Sequence, residues 1–249
     1  MSLALAAANQ PEQFWSQAPR ELQGHKKPGR RFEPVEERLL DDDLIRLAVK
    51  LPRAAEGLAL VREFAGGRGV ADAVAVTGWQ EPVRLRIALE LPLLDNETDC
   101  SVVAALSPNQ TRAVSSIAKR LGMSDEQVKR RLRPLAAAGY VESRGSGFRR
   151  VPGLEPVGRA YALEAKVSDW QQGVGQALRY STWCDAAAVV LLKPPRNLWD
   201  ARERCSNLGL GLATDGRWVV RPRICRPHAG LRLAMSEQFV RLILVSESL

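Results

Sequence analysis

The sequence predicts an α/β body that is interrupted near its middle by an all-helical module closed with a hairpin. Three observations carry this reading. Apolar, strand-like runs occupy residues 57–91 and return after Pro156. Between them lie three helical segments with no strand run among them. A glycine-punctuated stretch, YVESRGSGFRRVP, then ends the middle region as a hairpin.

Bulk composition fits a soluble globular chain: 45% hydrophobic and 26% charged residues are neither disordered nor fibrous values, and 249 residues provide a real core for one large or two ordinary domains. The formal charge of +8, with a pI near 9.7, favours a polyanionic partner. Cys100, Cys184, Cys205 and Cys225 lie far apart and form no C-x-x-C pair. With His25 and His228 as the only histidines, a structural zinc site is poorly supplied. The thiols read as free, which suits a reducing cytoplasm. MSLALAAANQ has neither a basic n-region nor a long apolar one, and no run reaches the ~18–20 apolar residues of a membrane span. A cytoplasmic protein with no membrane partner is expected.

Along the chain, residues 1–31 are polar and proline-punctuated, with Lys26, Lys27, Arg30 and Arg31, and read as a basic flexible arm. Residues 32–53 carry a helical pattern. Pro34 suits the first turn, Glu36 and Glu37 lie near the positive end of the dipole, and Leu39, Leu40, Leu44, Ile45, Leu47 and Ala48 form an apolar stripe. Residues 57–65 (GLALVREFA), the turn Gly66-Gly67-Arg68-Gly69, residues 70–76 (VADAVAV) and residues 83–91 (VRLRIALEL) read as an antiparallel meander closed by Pro92. Helices follow at 100–106, 112–122 and 124–139, and the hairpin at 140–152. After Pro156 come a buried strand at 160–167, a helix at 169–183 weakened by Gly173 and Gly175, and an apolar strand at 186–193 bounded by Pro194 and Pro195. A strand and turn at 208–223 and a helix at 236–246 complete the pattern.

The middle module is built from small local fits. Ile117, Ala118 and Leu121 give one helix an apolar face, and Gly122 supplies the left-handed residue that stops it. Ser124 caps the next helix, with Gln127 as its capping-box partner. That helix buries Val128, Leu132 and Leu135 and turns Gln127, Lys129, Arg130, Arg131 and Arg133 outward, as a helix lying in a major groove requires. Arg144 opens the hairpin tip, and Arg149 and Arg150 lie on the return strand. From residue 107 to 150, ten basic residues oppose three acids, so this stretch nets +7 of the chain's +8. Over about 55 residues it resembles the winged helix-turn-helix of bacterial regulators. Pro134 departs from the pattern and is expected to bend or shorten the second helix. The resemblance implies contact with duplex DNA.

A second constellation lies outside this module. Asp72 sits in an apolar strand, and Glu164-Ala165-Lys166 ends another, with Glu164 and Lys166 on one sheet face by alternation. Two carboxylates and a lysine at adjacent strand ends suit Mg²⁺-assisted hydrolysis of a phosphodiester. The helix that follows repeats Gln172, Gln176 and Tyr180 at every fourth residue, on one face and able to contact phosphate.

The segment YALEAKVSDWQQGVGQALRYSTWCDAAAVVLL resembles the core of the PD-(D/E)xK phosphodiesterases, the restriction-endonuclease-like superfamily. That resemblance implies a restriction-endonuclease-like mixed sheet flanked by helices, over residues 32–92 and 156–249, interrupted by the winged helix-turn-helix at 93–155. It implies Asp72 and Glu164 as ligands of Mg²⁺ (or Mn²⁺), Lys166 as catalytic lysine, and an acid on the first helix, Glu37 or Glu36. The expected function is a metal-dependent DNA endonuclease; a non-catalytic DNA-binding regulator on a degenerate nuclease scaffold is the alternative. A homodimer is expected because such enzymes often pair to cut two strands. Two departures matter: Asp72 follows alanine rather than proline, and the interval to Glu164 requires the helical module to be an insertion.

Overall fold

Alternating and fully apolar runs are realised as nine strands in a computed structural model that describes residues 19–24 and 40–245. They are β1 (Arg20–Gln23), β2 (Leu58–Gly66), β3 (Gly69–Thr77), β4 (Val141–Arg144), β5 (Gly147–Arg150), β6 (Arg159–Lys166), β7 (Ala186–Leu191), β8 (Gly211–Thr214) and β9 (Arg217–Val220). The helices are α1 (Asp41–Ala48), α2 (Gln80–Ala88), α3 (Glu97–Ala104), α4 (Val114–Leu121), α5 (Asp125–Ala137), α6 (Trp170–Tyr180), α7 (Leu198–Leu208) and α8 (Ala229–Val245). No described helix is long and apolar enough to cross a membrane.

The described residues divide into two compact units. The sheet unit, on either side of the segment Glu81–Val157, is a mixed seven-stranded sheet flanked by helices, in the order β1-β2-β3-β6-β7-β8-β9. β2, β3 and β6 run antiparallel in succession, and β6, β7 and β8 are parallel. Leu44 and Leu47 of α1 bury one face together with Ala73, Ala75, Leu163, Ala165, Ala188, Val190 and Ala213. Because side chains alternate, Asp72, Glu164, Lys166 and Val189 belong to the opposite face. There α6 packs so closely that a Cβ at Gly173 would lie 2.7 Å from Val189 Cγ1 and 3.4 Å from Lys166 Cγ. Gly173, a weak helix former, is thus what lets the helix approach the strand carrying the lysine.

The helical unit comprises Glu81–Val157 and the segment from His228 through α8. Its core joins Cys100, Val102 and Val103 of α3, Ile117 and Ala118 of α4, Val128, Leu132 and Leu135 of α5, and Val141 of the hairpin. Leu233 of α8 lies in the same core. Ser124 accepts from Gln127 N, and Gln127 reaches back to Ser124 N, so the capping box at the start of α5 is complete. Gly122 caps α4 at φ 64°. Arg112 and Phe148 exchange backbone hydrogen bonds, which lays a third extended segment against the β4–β5 hairpin. Pro134 sits inside α5 without ending it before Ala137.

Several sequence expectations are corrected. Residues 83–91, read as a strand, contribute to helix α2 instead. Residues 20–23, read as part of the arm, form the edge strand β1, parallel to β2. The last helix begins at Ala229 rather than 236, and α8 belongs to the helical unit rather than to the sheet body. Helix α7 had no counterpart in the sequence reading. Glu36, Glu37, Leu39, Pro34 and the basic cluster Lys26, Lys27, Arg30 and Arg31 lie outside the described residues.

Candidate functional site

β3 and β6 pair with Ala73 opposite Leu163, and one further step of that register sets Asp72 opposite Glu164. Helices α2 to α5 intervene in the chain, yet the backbone N–H of Ala165 donates to Asp72 Oδ2 at 2.8 Å. Lys166 Nζ donates to Glu164 Oε1 at 2.6 Å and to the Ala165 carbonyl at 2.9 Å, and lies 3.9 Å from Asp72 Oδ2. The acid, acid and lysine named from sequence are therefore brought into one cluster.

The cluster is enclosed. Side-chain exposure is 0% for Glu164, 8% for Lys166 and 11% for Asp72, so three ionisable groups share a site that water barely reaches. Burial, then the nearby Asp72 charge, pushes the Glu164 carboxyl up to about 7, against the opposing pull of Lys166 and Tyr180. Such a group sits where a small change of environment decides its charge.

Tyr180 closes the inner side. Its hydroxyl oxygen lies 2.7 Å from Glu164 Oε2 and 2.7 Å from the Val70 carbonyl. The ring is set by Trp183, with centroids 5.5 Å apart, and Trp183 in turn stacks on Phe64 at 5.8 Å. Gly66 makes this possible, because a Cβ there would meet the Trp183 ring at 2.4 Å. Burial and the Glu164 charge raise the Tyr180 pKa, so the phenol stays protonated. The spacing Gln172, Gln176, Tyr180 does not give one solvent-facing row. Gln172 is exposed, Gln176 is half-buried with Oε1 lacking a partner among the described residues, and Tyr180 is buried. Tyr180 positions Glu164, whereas neither glutamine shares its contacts with the carboxylate.

The donors present bear on whether a cation would fit. Among the described residues no group of three His, Cys, Asp or Glu side chains is placed to hold a metal. Mg²⁺, however, keeps several waters and commonly takes one or two carboxylates plus substrate oxygen. Asp72 and Glu164 supply that number, and their mutual repulsion is what a cation would relieve. Use of Glu164 requires exchange of its contacts to Lys166 and Tyr180.

In the helical unit the outer face of α5 is formed by Glu126, Gln127, Lys129, Arg130 and Arg133 around one open depression. The cations of this region are not equivalent. Lys129 pairs with Glu126, Arg131 with Asp99, Arg144 and Arg149 with Glu142, and Arg150 with Glu155. Lys119, Arg120, Arg130 and Arg133 are exposed and have no ion-pair partner among the described residues. Gln127 is exposed, but its side-chain oxygen is committed to the cap. Glu142 is one of the three acids counted against these cations, and the strand alternation Glu142-x-Arg144 points to its pairing, whereas nothing local points to Asp99.

No family model matches the chain, nor does any curated protein or solved structure.

Proposed function

We propose that this chain is a DNA-binding protein whose sheet unit carries a Mg²⁺-dependent phosphodiesterase site of the PD-(D/E)xK type, and whose helical unit, a winged helix-turn-helix, grips duplex DNA. The observation that carries the reading is the convergence of Asp72 on the Glu164-Ala165-Lys166 strand end. Burying two carboxylates and an ammonium costs several kcal/mol per ion before pairing repays it. A hydrophobic trio would serve stability as well, so the cluster is better explained by chemistry than by folding.

When bound, Mg²⁺ would lower the pKa of a water and neutralise charge on the scissile phosphate. Asp72 is fixed for a ligand's role by Ala165 N–H, and Glu164 is oriented by Tyr180. Lys166 is held between both carboxylates, with its ammonium protons directed at oxygen. With Glu164 turned to a bound cation, the Lys166 ammonium protons would be free to orient a water or a phosphate oxygen. Linear duplex DNA incubated with Mg²⁺, Mn²⁺ or EDTA tests this. Cutting that needs the metal and disappears in Asp72→Asn is expected; metal-independent cutting would remove Asp72 from the chemistry.

One observation favours a second reading. Both Glu164 oxygens are satisfied internally and the side chain is fully buried. A sheet unit retained as a scaffold, with the α5 face as a non-catalytic DNA reader, predicts tight duplex binding with no cleavage under any metal.

A further inference from the structure

Period-two alternation places Glu142 and Arg144 on one face of β4, and the register Glu142↔Arg149 sets Arg149 of β5 beside them. The opposite face carries Val141 and Phe148 into the core. On the outer face four N–H groups converge on one atom. Nε and Nη2 of Arg149 donate to Glu142 Oε2 at 2.9 and 2.8 Å, and Nε and Nη2 of Arg144 donate to it at 3.2 and 3.1 Å. Two planar guanidinium forks aimed at a single oxygen form a donor set for an oxyanion, and a phosphodiester oxygen satisfies the same donors. All three side chains remain open to solvent, at 39% for Glu142, 60% for Arg144 and 36% for Arg149, so a competing anion can reach them.

We infer that the outer face of the β4–β5 hairpin is a site for backbone phosphate of duplex DNA, and that in the free protein Glu142 occupies and masks it. The inference rests on the DNA-binding reading above and assigns the regulation of that surface. Glu142 is an internal stand-in for phosphate. Arg149 and then Arg144 hold its carboxyl below the usual range, so the mask is not shed by protonation near neutral pH. Only an anion that outcompetes it opens the site. Until then DNA phosphates meet Lys119, Arg120, Arg130 and Arg133, and the hairpin cations do not count toward binding.

The test compares duplex affinity of the full chain across about 50–200 mM salt for wild type, Glu142→Gln and Glu97→Gln. Glu97, exposed in the first turn of α3, provides the same charge change without touching the hairpin. Each added phosphate contact steepens the salt dependence by about 0.9, which over a fourfold salt range is about 3.5-fold more affinity lost. Glu142→Gln is expected to tighten binding at low salt and add one to two such contacts, and adding Arg144→Ala and Arg149→Ala is expected to remove the gain. Glu142→Gln behaving like Glu97→Gln overturns the mask while leaving DNA binding intact. Absence of duplex binding by wild type and Glu142→Gln alike would instead sink the DNA-binding reading itself.

Discussion

The Tyr180 hydroxyl oxygen stands 2.7 Å from Glu164 Oε2 and the same distance from the Val70 carbonyl oxygen, and a phenol has one proton to give. The carbonyl can only accept. Tyr180 therefore divides one proton between Glu164 and Val70, and its donation to the carboxylate opposes the rise that burial gives the Glu164 pKa. Tyr180→Phe keeps the aromatic packing on Trp183 and removes both bonds. The expected loss is roughly 1–3 kcal/mol in urea unfolding, from stranded buried groups. An unchanged midpoint would mean that the hydroxyl is not integrated into the cluster.

Glu164 also sets a pH dependence. Its folded-state pKa is raised to about 7 from 4.5, so between those values the folded chain binds a proton that the unfolded chain releases. The sign follows: its stabilising contribution is full below about 4.5 and is lost as pH rises through 7. In Glu164→Gln that part of the pH slope is expected to vanish from thermal unfolding between pH 5 and 8. Mg²⁺ requires the carboxylate, so Mg²⁺ affinity is expected to rise across the same window in wild type. A wild-type and variant pair with parallel slopes would contradict the assignment.

Two glycines in α6 make a matched pair. At Gly173 an added Cβ presses on Val189 and Lys166, and overpacking of this kind costs roughly 1–3 kcal/mol. At Gly175 nothing lies within 4 Å of the added Cβ. Gly175→Ala is expected to stabilise by about 0.5–1 kcal/mol through helix propensity, and Gly173→Ala to destabilise. Equal effects of the two substitutions on the melting temperature would contradict the close approach of α6 to β6.

On the α5 face, Arg130 and Arg133 are exposed and have no ion-pair partner among the described residues, so they are available to phosphate. Arg130→Ala with Arg133→Ala is expected to reduce the salt dependence of duplex binding by about two contacts. Arg150→Ala, whose side chain is tied to Glu155, is expected to change it little. The reverse ranking would take the α5 face out of the interface.

Local determinants made some elements legible in the sequence, while elements set by distant partners were not. The capping box at Ser124, the stop at Gly122 and the hairpin at Gly145 are set by residues a few positions apart, and they stand as read. The pairing of Glu164 with Lys166 on one face needed only strand alternation. Residues 83–91 failed for a non-local reason. Their alternation suits a strand, but the structure turns Arg86 inward with Val83 and leaves Leu85 and Leu89 exposed. Arg86 Nη2 donates to Glu237 Oε2 at 2.6 Å and to the Pro92 carbonyl at 2.9 Å, and its other terminal nitrogen pairs with Glu237 Oε1. A buried partner 151 positions away in α8 is invisible to periodicity. β1 is similar: RELQ has weak strand character and is made a strand by pairing with β2 and by Arg62 reaching Glu21. Helix α7 is different, since its Asn197 cap and Gly209 stop are both local signals that the surrounding prolines and charges concealed.

The most direct measurement compares wild type and Lys166→Ala for cutting and for binding of plasmid and linear duplex DNA, with Mg²⁺ and with EDTA. The expectation is metal-dependent cutting by wild type that is lost in Lys166→Ala while duplex binding is kept. Tight binding by both proteins with no cutting of either DNA under any metal would contradict it and leave the sheet unit as a scaffold.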